Sequence, residues 1–373
     1  MKGELGRPVK ELSRHAIALF LTVAVLAGIE GIVRVKLPHI PTLSLFVISS
    51  LQQAGFTDRE NVTIFEGDPL LFWRARPNLD RVIWDFTVVS TNEQSIRHVG
   101  PILPKREGSR RIVSLGDSVT FGYRIPVVFP KRPEDYDREA LPYALAMERD
   151  LRAANPDRDI EVLNLAVPGY TSHQGLAWLR RDIEKLKPDL VTACFGWNDI
   201  NLRAASDREM MRTDQHLVTL RRVGSASQAI SHLVSWWRAR PRPEAEPFAG
   251  AVLRAPVEDY VENLLDIAKL AKTHGASVAV IGPVYRGFDN NLKESERMTR
   301  HRDALRTAMH EAEIPYLEIP ELTEQNRANN VMLFGEPVHP NVQGHRLMGV
   351  RLIEFLARQE MLWDLSVPEL NDD

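Results

Sequence analysis

A chain of 373 residues, 44% hydrophobic and 26% charged, carries enough apolar material for a sizeable core in one large domain or two. Its 47 basic and 50 acidic residues are interspersed and leave a net charge of -3, so it lacks the basic surface that a nucleic-acid partner requires. A single cysteine, Cys194, excludes an intrachain disulfide and leaves the compartment to be read from the N-terminus.

Residues 16–29, AIALFLTVAVLAGI, carry no charge; Glu30 and Gly31 interrupt before Ile32 and Val33. Lys2, Arg7, Lys10 and Arg14 precede the run, and Arg34 and Lys36 follow it. A helix from Ala16 to Val35 would be about 30 Å long, just enough to cross a bilayer. An uncleaved signal anchor, a cleaved signal peptide and a buried core helix compete for this stretch. No clear small-x-small site ends the run, which disfavours cleavage, and no polar face marks it as a core helix. We therefore read residues 1–36 as a membrane anchor with its N-terminus inside, which puts the rest of the chain outside the cytoplasm, in the periplasm or at the cell surface.

Residues 37–109 read as a preamble packed on the main domain, with no chemistry of its own visible. Pro38 and Pro41 suggest an extended exit from the membrane, Ser44 to Gln53 a short helix, and WDFTVVSTN (Trp84 to Asn92) a strand. From Arg110 a regular alternation begins. Strands are predicted at Ile112 to Leu115, Ile160 to Leu165, Leu190 to Phe195, Val278 to Gly282 and Tyr316 to Ile319. Helices are predicted at Arg138 to Ala154, Ser172 to Leu186, Val257 to His274, Glu294 to Glu311 and Val342 to Arg358. Continuous apolar strands separated by amphipathic helices imply a parallel sheet covered on both faces, and right-handed crossovers make it a three-layer α/β/α sandwich. The main domain spans 110–360, with a tail at 361–373. A helical insertion at about 200–256 breaks the rhythm. Within it, SQAISHLVSWW (Ser227 to Trp237) places Ile230, Leu233, Val234 and Trp237 at helical spacing, and Arg238, Arg240 and Arg242 follow among Pro241 and Pro243. Two readings stay open for it: an interfacial helix resting on the membrane, or a lid helix packed on the domain.

The chemistry gathers where the strands end. RIVSLGDSVTFG (Arg111 to Gly122) is a buried strand breaking into a turn that delivers Ser118 to the sheet's carboxyl edge, where open α/β sheets bind ligands. EVLNLAVPGYTS ends in Pro168 and Gly169, and LVTACFGWND in Gly196, Trp197, Asn198 and Asp199. GEPVHPNVQGH sets Glu336 and His339 just before the last helix, with Pro337 and Pro340 keeping that loop extended. These pieces match ester cleavage. A serine hydroxyl needs a base, which His339 supplies, and Glu336 holds the imidazole in the right tautomer. The N–H groups of Ser118 and Gly169 and the side-chain amide of Asn198 are the candidate oxyanion donors.

GDSxTxG, an isolated glycine after the second strand, GxND after the third and an acidic-x-x-His loop near the end together resemble the SGNH (GDSL-type) hydrolase family. The four blocks occur in that family's order and cover about two-thirds of the chain. The resemblance implies Ser118 as nucleophile, Gly169 and Asn198 as oxyanion donors, His339 as base, and a five-stranded flavodoxin-like sheet. The phrase STNEQSIR (Ser90 to Arg97) and the N-terminal anchor resemble membrane-tethered bacterial members. One departure stands out: the family usually has Asp three residues before the histidine, where this chain has Glu336.

The expected activity is that of a serine ester hydrolase acting on an O-acyl ester, an acylated carbohydrate being one candidate, with no cofactor, metal or nucleic-acid partner. An O-acyltransferase or deacetylase acting on surface polysaccharide, and an inactive glycan-binding scaffold, are the alternatives; intact Ser118, Asn198 and His339 argue against the scaffold. His173, His274, His301, His310 and His345 fall on predicted helices without partners at ligand spacing. Asp117 and Asp199 read as turn caps, Trp197 as either an acyl-pocket wall or a structural residue, and the acidic run Glu134 to Glu139 as a solvated loop.

Overall fold

The computed structural model describes residues 7–37, 64–68, 70–125, 139–203, 205–215, 227–238, 250–287 and 292–368. The segments around Pro38 and Pro41, Ser44 to Gln53, Glu134 to Arg138, and Arg240 to Pro243 lie outside the described residues.

Eleven strands occur among the described residues: β1 (Phe65–Asp68), β2 (Phe72–Ala75), β3 (Val82–Trp84), β4 (Thr87–Val89), β5 (Arg110–Gly116), β6 (Ile160–Ala166), β7 (Leu190–Cys194), β8 (Leu202–Arg203), β9 (Val252–Leu253), β10 (Ser277–Ile281) and β11 (Tyr316–Leu317). Five of them form one sheet in the order β11-β10-β7-β5-β6, every neighbouring pair parallel. Numbered within the sheet this is the 2-1-3-4-5 order of flavodoxin-like folds.

The apolar strands feed two cores because successive side chains alternate across the sheet. Val113, Leu115, Leu163, Leu165, Val191, Ala193, Val278 and Val280 pack with the helices Ser172–Leu186, Val257–Thr273 and Leu292–Glu311. Ile112, Ile160, Val162, Leu190, Cys194, Ala279 and Ile281 pack with the helices Tyr143–Ala154 and Val342–Arg358. Each fully buried Val, Leu or Ile contributes about 1.5–3 kcal/mol of transfer free energy, so a one-residue slip of any central strand would be costly. The result is the three-layer α/β/α sandwich.

Local chemistry sets the helix ends. In the helix Ser172–Leu186, Gln174 Oε1 accepts the Thr171 N–H at 2.9 Å, and Lys187 ends it in the left-handed region with φ 47°. The helix expected from Arg138 starts at Tyr143, because Pro142 takes the N-cap position in an extended conformation. The helix expected from Glu294 starts at Leu292.

The preamble corrects one expectation. Trp84 to Asn92 is not a single strand: β3 and β4 pair antiparallel as a hairpin, turning at Asp85 and Phe86 with φ 39° and 58°. Two left-handed residues in a two-residue loop define a type I′ turn, and Phe86 carries none of the Asn or Gly signal that normally betrays it. The described preamble residues pack on the domain through Phe65, Trp73 and Trp84, all buried. The insertion leaves and returns through the antiparallel pair β8–β9 and contains the helices Asp207–Gln215 and Gln228–Arg238. At the N-terminus a single helix runs from Arg7 to Lys36. Its His15–Lys36 part is long and apolar enough to cross a membrane or to act as a signal sequence, and none of that stretch is buried.

Candidate active site

Gly116 ends β5 where it must. A Cβ there would lie 2.0 Å from Thr120 Oγ1 and 2.9 Å from the Cys194 carbonyl of the neighbouring strand, so only glycine lets the chain turn this close to β7. Asp117 follows, its Oδ1 accepting the Val119 N–H at 2.9 Å, and the short helix Ser118–Phe121 begins. Ser118 is thus delivered at the carboxyl edge of β5, beside β7. That is the point where the strand order reverses and where sheets of this kind open a crevice.

From the far end of the chain, His339 meets it. His339 Nε2 lies 2.7 Å from Ser118 Oγ, and His339 Nδ1 is hydrogen-bonded to Glu336 Oε1. With Nδ1–H donating to the carboxylate, Nε2 is left as the acceptor for the serine proton. Burial pushes the Glu336 carboxyl up. The charge and hydrogen bond of His339, the Val338 N–H and the Arg124 charge outweigh it, and its pKa falls below the ordinary value. The His339 loop is framed by backbone: Gly335 N–H donates to the His339 carbonyl at 3.1 Å, and the Arg286 and Gly287 amides both donate to the Pro337 carbonyl at 3.1 Å. Asn341 caps the following helix by accepting the Gly344 N–H at 3.0 Å.

The third strand adds Asn198, buried, whose Nδ2 donates to the Tyr170 carbonyl at 3.0 Å and faces Asp117 Oδ2 at 3.4 Å. Asp117 therefore joins two strand ends; burial pushes its carboxyl up to about 6, against the pull of the Val119 amide and the His339 charge. Gly169, with φ 86°, sits in a turn whose carbonyls are tied outward. Trp73 Nε1 donates to the Pro168 carbonyl at 3.2 Å and Arg254 Nη1 to the Gly169 carbonyl at 2.7 Å. These bonds fix the peptide planes of that loop. Ser118, His339, Glu336, Asn198 and Gly169 thus all belong to strand ends and loops at one edge of the sheet.

Other residues singled out in the sequence take structural places. Asp199 Oδ1 accepts the Ser172 N–H at 2.9 Å and its O–H at 2.7 Å, while its buried Oδ2 has no partner. Burial pushes this carboxyl from 3.8 to about 7. Between those two values the folded chain holds the proton more tightly than the unfolded chain, so stability falls as pH rises from about 4 through about 7. Asp199→Asn keeps the acceptor for Ser172 and cannot ionise. Its melting temperature is expected to gain on wild type as pH rises from about 5 to about 8; parallel curves would show that Asp199 does not titrate in this range.

Trp197 stacks on Tyr285 with centroids 5.1 Å apart and packs with Val338, next to His339, so it serves the core while bordering the site. His301 and His345 are buried, each hydrogen-bonded to backbone, and burial pulls His345 down to about 3. Among the described residues no group of three or more His, Cys, Asp or Glu is placed to hold a metal ion.

Four residues near the site escaped the sequence reading. Tyr123 lays its ring 4.5 Å from the His339 ring, and its hydroxyl donates to Asp85 at the β3–β4 turn. Arg124 pairs with the same Asp85 at 3.2 Å. Arg97, in the phrase STNEQSIR, is buried. Its guanidinium donates to the carbonyls of Phe121, Gly122, Val88 and Ile125, which ties the preamble to the segment just beyond Ser118. Burial pulls Arg97 down to about 9. The preamble packs on the domain close to the site. A lone arginine in a polar phrase gives no signal of carbonyl partners so far along the chain.

A flavodoxin-like sheet presenting a serine, a histidine and a carboxylate at its switch point defines the class of serine hydrolases built on an open α/β sheet. The chain belongs to the GDSL-like lipase/acylhydrolase family, whose model matches residues 114–347, and it is a serine esterase. Among solved structures it is similar to Axe2, an acetylxylan esterase from Geobacillus stearothermophilus, at 16% identity over 67% of this chain and 95% of that one, TM-score 0.42. It is similar to LAE5, an alpha/beta hydrolase from the metagenome of Lake Arreo, at 18% identity over 68% and 96%, TM-score 0.42. It is also similar to a protein of the G-D-S-L family from Desulfitobacterium hafniense, at 16% identity over 66% and 100%, TM-score 0.41. No curated protein matches the chain.

Proposed function

We propose that the protein cleaves O-acyl esters through an acyl-serine on Ser118. The hydroxyl oxygen attacks the ester carbonyl as its proton passes to His339 Nε2, and Glu336 stabilises the imidazolium that forms. The tetrahedral oxyanion is held by the N–H groups of Ser118 and Gly169 and by Asn198 Nδ2. Collapse breaks the C–O bond to the alcohol, which leaves with the proton from His339. Water, deprotonated by the same imidazole, then attacks the acyl carbonyl; collapse breaks the bond to Ser118 Oγ, which takes the proton back from His339 as the acid leaves. The observation that carries this reading is the 2.7 Å contact between His339 Nε2 and Ser118 Oγ, with Glu336 on the opposite ring nitrogen.

Incubation with a fluorophosphonate followed by peptide mass spectrometry tests it. Stoichiometric labelling of Ser118 is expected; labelling elsewhere, or none in folded protein, overturns the nucleophile. Asn198→Ala is expected to lower kcat about 10²- to 10³-fold with KM nearly unchanged, as for loss of one oxyanion donor. An effect confined to KM would make Asn198 a ground-state binding residue.

The helix Arg7–Lys36 is read as a signal anchor. Arg7, Lys10 and Arg14 lie on its N-terminal side, which favours an inside N-terminus and an extracytoplasmic catalytic domain over 110–360.

A further inference from the structure

The one charge that interrupts the apolar N-terminal stretch is already engaged. Glu30 Oε2 accepts the Ser227 hydroxyl at 2.7 Å and the Ala229 N–H at 3.0 Å, and Glu30 Oε1 accepts the Gln228 N–H at 2.8 Å. Gln228 and Ala229 are the first two residues of the helix Gln228–Arg238, and Ser227 Oγ accepts the third amide, that of Ile230, at 3.2 Å. Three of the amides a helix start leaves without intrahelical partners are thus satisfied, two of them by a carboxylate on a different helix. A negative charge is favoured at this end of a helix, and Arg34 Nε also donates to Glu30 Oε1 at 2.7 Å.

The capped helix leaves an apolar stripe open. Ile230, Leu233 and Trp236 recur every third residue and are 41%, 60% and 57% exposed. The side chains of the anchor beside it, Ile29 and Ile32 among them, are exposed as well. Glu30 stands three residues before Val33, about 4.5 Å along the axis from the outer end of the apolar stretch. A carboxylate at that depth is costly without partners, and the helix start supplies them.

We propose that the helix Gln228–Arg238 is an interfacial element that lies on the lipid surface beside the anchor, with Ile230, Leu233 and Trp236 in the headgroup–acyl boundary and Glu30 as the bolt between the two helices. The inference rests on the signal-anchor reading. The occupant is lipid because the apolar stripe is carried by a helix packed against the anchor, whose own exposed face requires lipid, and because the stripe ends in a tryptophan, a residue favoured at the interface. Arg238, Arg240 and Arg242 follow in sequence, the composition that anionic headgroups attract. β8 and β9, which close the insertion, follow directly on the Asn198 strand end: the Arg254 N–H donates to the Asn201 carbonyl at 2.9 Å and the Ala255 N–H to the Asp199 carbonyl at 3.1 Å. The bolt would therefore set how the catalytic edge stands over the membrane.

The test uses the full chain in vesicles of phosphatidylethanolamine and phosphatidylglycerol, with an environment-sensitive fluorophore on Leu233→Cys; Cys194 is buried and stays unlabelled in folded protein. Blue-shifted emission is expected, quenched more by lipids labelled near the headgroup than by lipids labelled near the chain end, because interfacial helices sit about 5–10 Å deep. Glu30→Ala should shift the emission toward that of water while the protein still resists carbonate extraction and keeps its rate on a small soluble ester. Water-like, unquenched emission in a carbonate-resistant protein overturns the interfacial helix and leaves the anchor standing. Extraction by carbonate overturns the anchor and this inference with it. Lipid quenching unchanged in Glu30→Ala overturns the role of Glu30 as the bolt.

Discussion

Replacement of His339 by alanine is expected to lower kcat by about 10⁴- to 10⁶-fold while KM changes little, because the base of a serine hydrolase acts on the transition state and barely touches the ground state. The prediction is clean because the loop does not depend on the imidazole for its shape. Its carbonyls and amides are tied to Gly335, Arg286, Gly287 and Asn341 through backbone and cap hydrogen bonds that alanine preserves. His339 is also only partly covered, its side chain 15% exposed, so truncation opens no sealed cavity. Fluorophosphonate labelling of Ser118 should slow in parallel with ester turnover, since both need the hydroxyl deprotonated. A loss of less than about 10²-fold in kcat would mean that another group takes the serine proton. The first to examine would then be Asp117, whose carboxyl is pushed up to about 6 by burial.

The sheet was legible because its strands are short, continuous apolar runs and its helices amphipathic. Ile112 and Val113 look alike in sequence, and only the alternation across the pleat sends one to each core. The site was legible for a related reason: in a parallel sheet every strand's carboxyl end lies on one edge, so Ser118, Asn198 and Gly169 had to be neighbours once the strands were placed. His339 comes from the far end of the chain, and its place is signalled by the rigid loop ahead of the last helix and by the family's order of motifs. What stayed hidden depends on contacts across the chain. Asp85 and Phe86 turn a hairpin without glycine, and nothing local announces that Asp85 will accept the Tyr123 hydroxyl. Arg97 reads as a surface charge, yet it is buried and bonded to four backbone carbonyls. Glu30 reads as a blemish in an apolar run until the insertion helix is set upon it.

The preamble therefore belongs to the working end of the molecule. Tyr123 lies between the β3–β4 turn and His339, held by Asp85 at its hydroxyl and by the Arg124 guanidinium 4.9 Å over its ring. Arg124 in turn contributes to the field that keeps Glu336 ionised. Substrate specificity differences between relatives of this sheet would then be sought in the elements that precede the strand bearing the serine as well as in those that follow it.

Glu336→Gln tests the place where the chain departs from its family's usual aspartate, and a loss of at least about 10²-fold in kcat is expected. In the folded protein Glu336 is held below the ordinary carboxylate value even though burial opposes it, so it is ionised wherever the enzyme works near neutral pH. An ionised carboxylate only accepts, which forces the proton onto His339 Nδ1 and leaves Nε2 free for Ser118. A glutamine amide can instead donate to Nδ1, which puts the proton on Nε2 and points a donor at the serine oxygen. The imidazolium formed as the serine proton leaves would also lose its counter-charge, and the two losses act on the same step. Glu336→Asp retains the charge at one methylene less reach and is expected to lose less than the glutamine variant. That ordering separates charge from shape, because the isosteric amide preserves the shape and the aspartate preserves the charge. Labelling of Ser118 by the fluorophosphonate should follow the same order, whatever ester is used to measure turnover. A glutamine variant within about threefold of wild type would leave Ser118 and His339 as a dyad, with the histidine oriented by something other than Glu336.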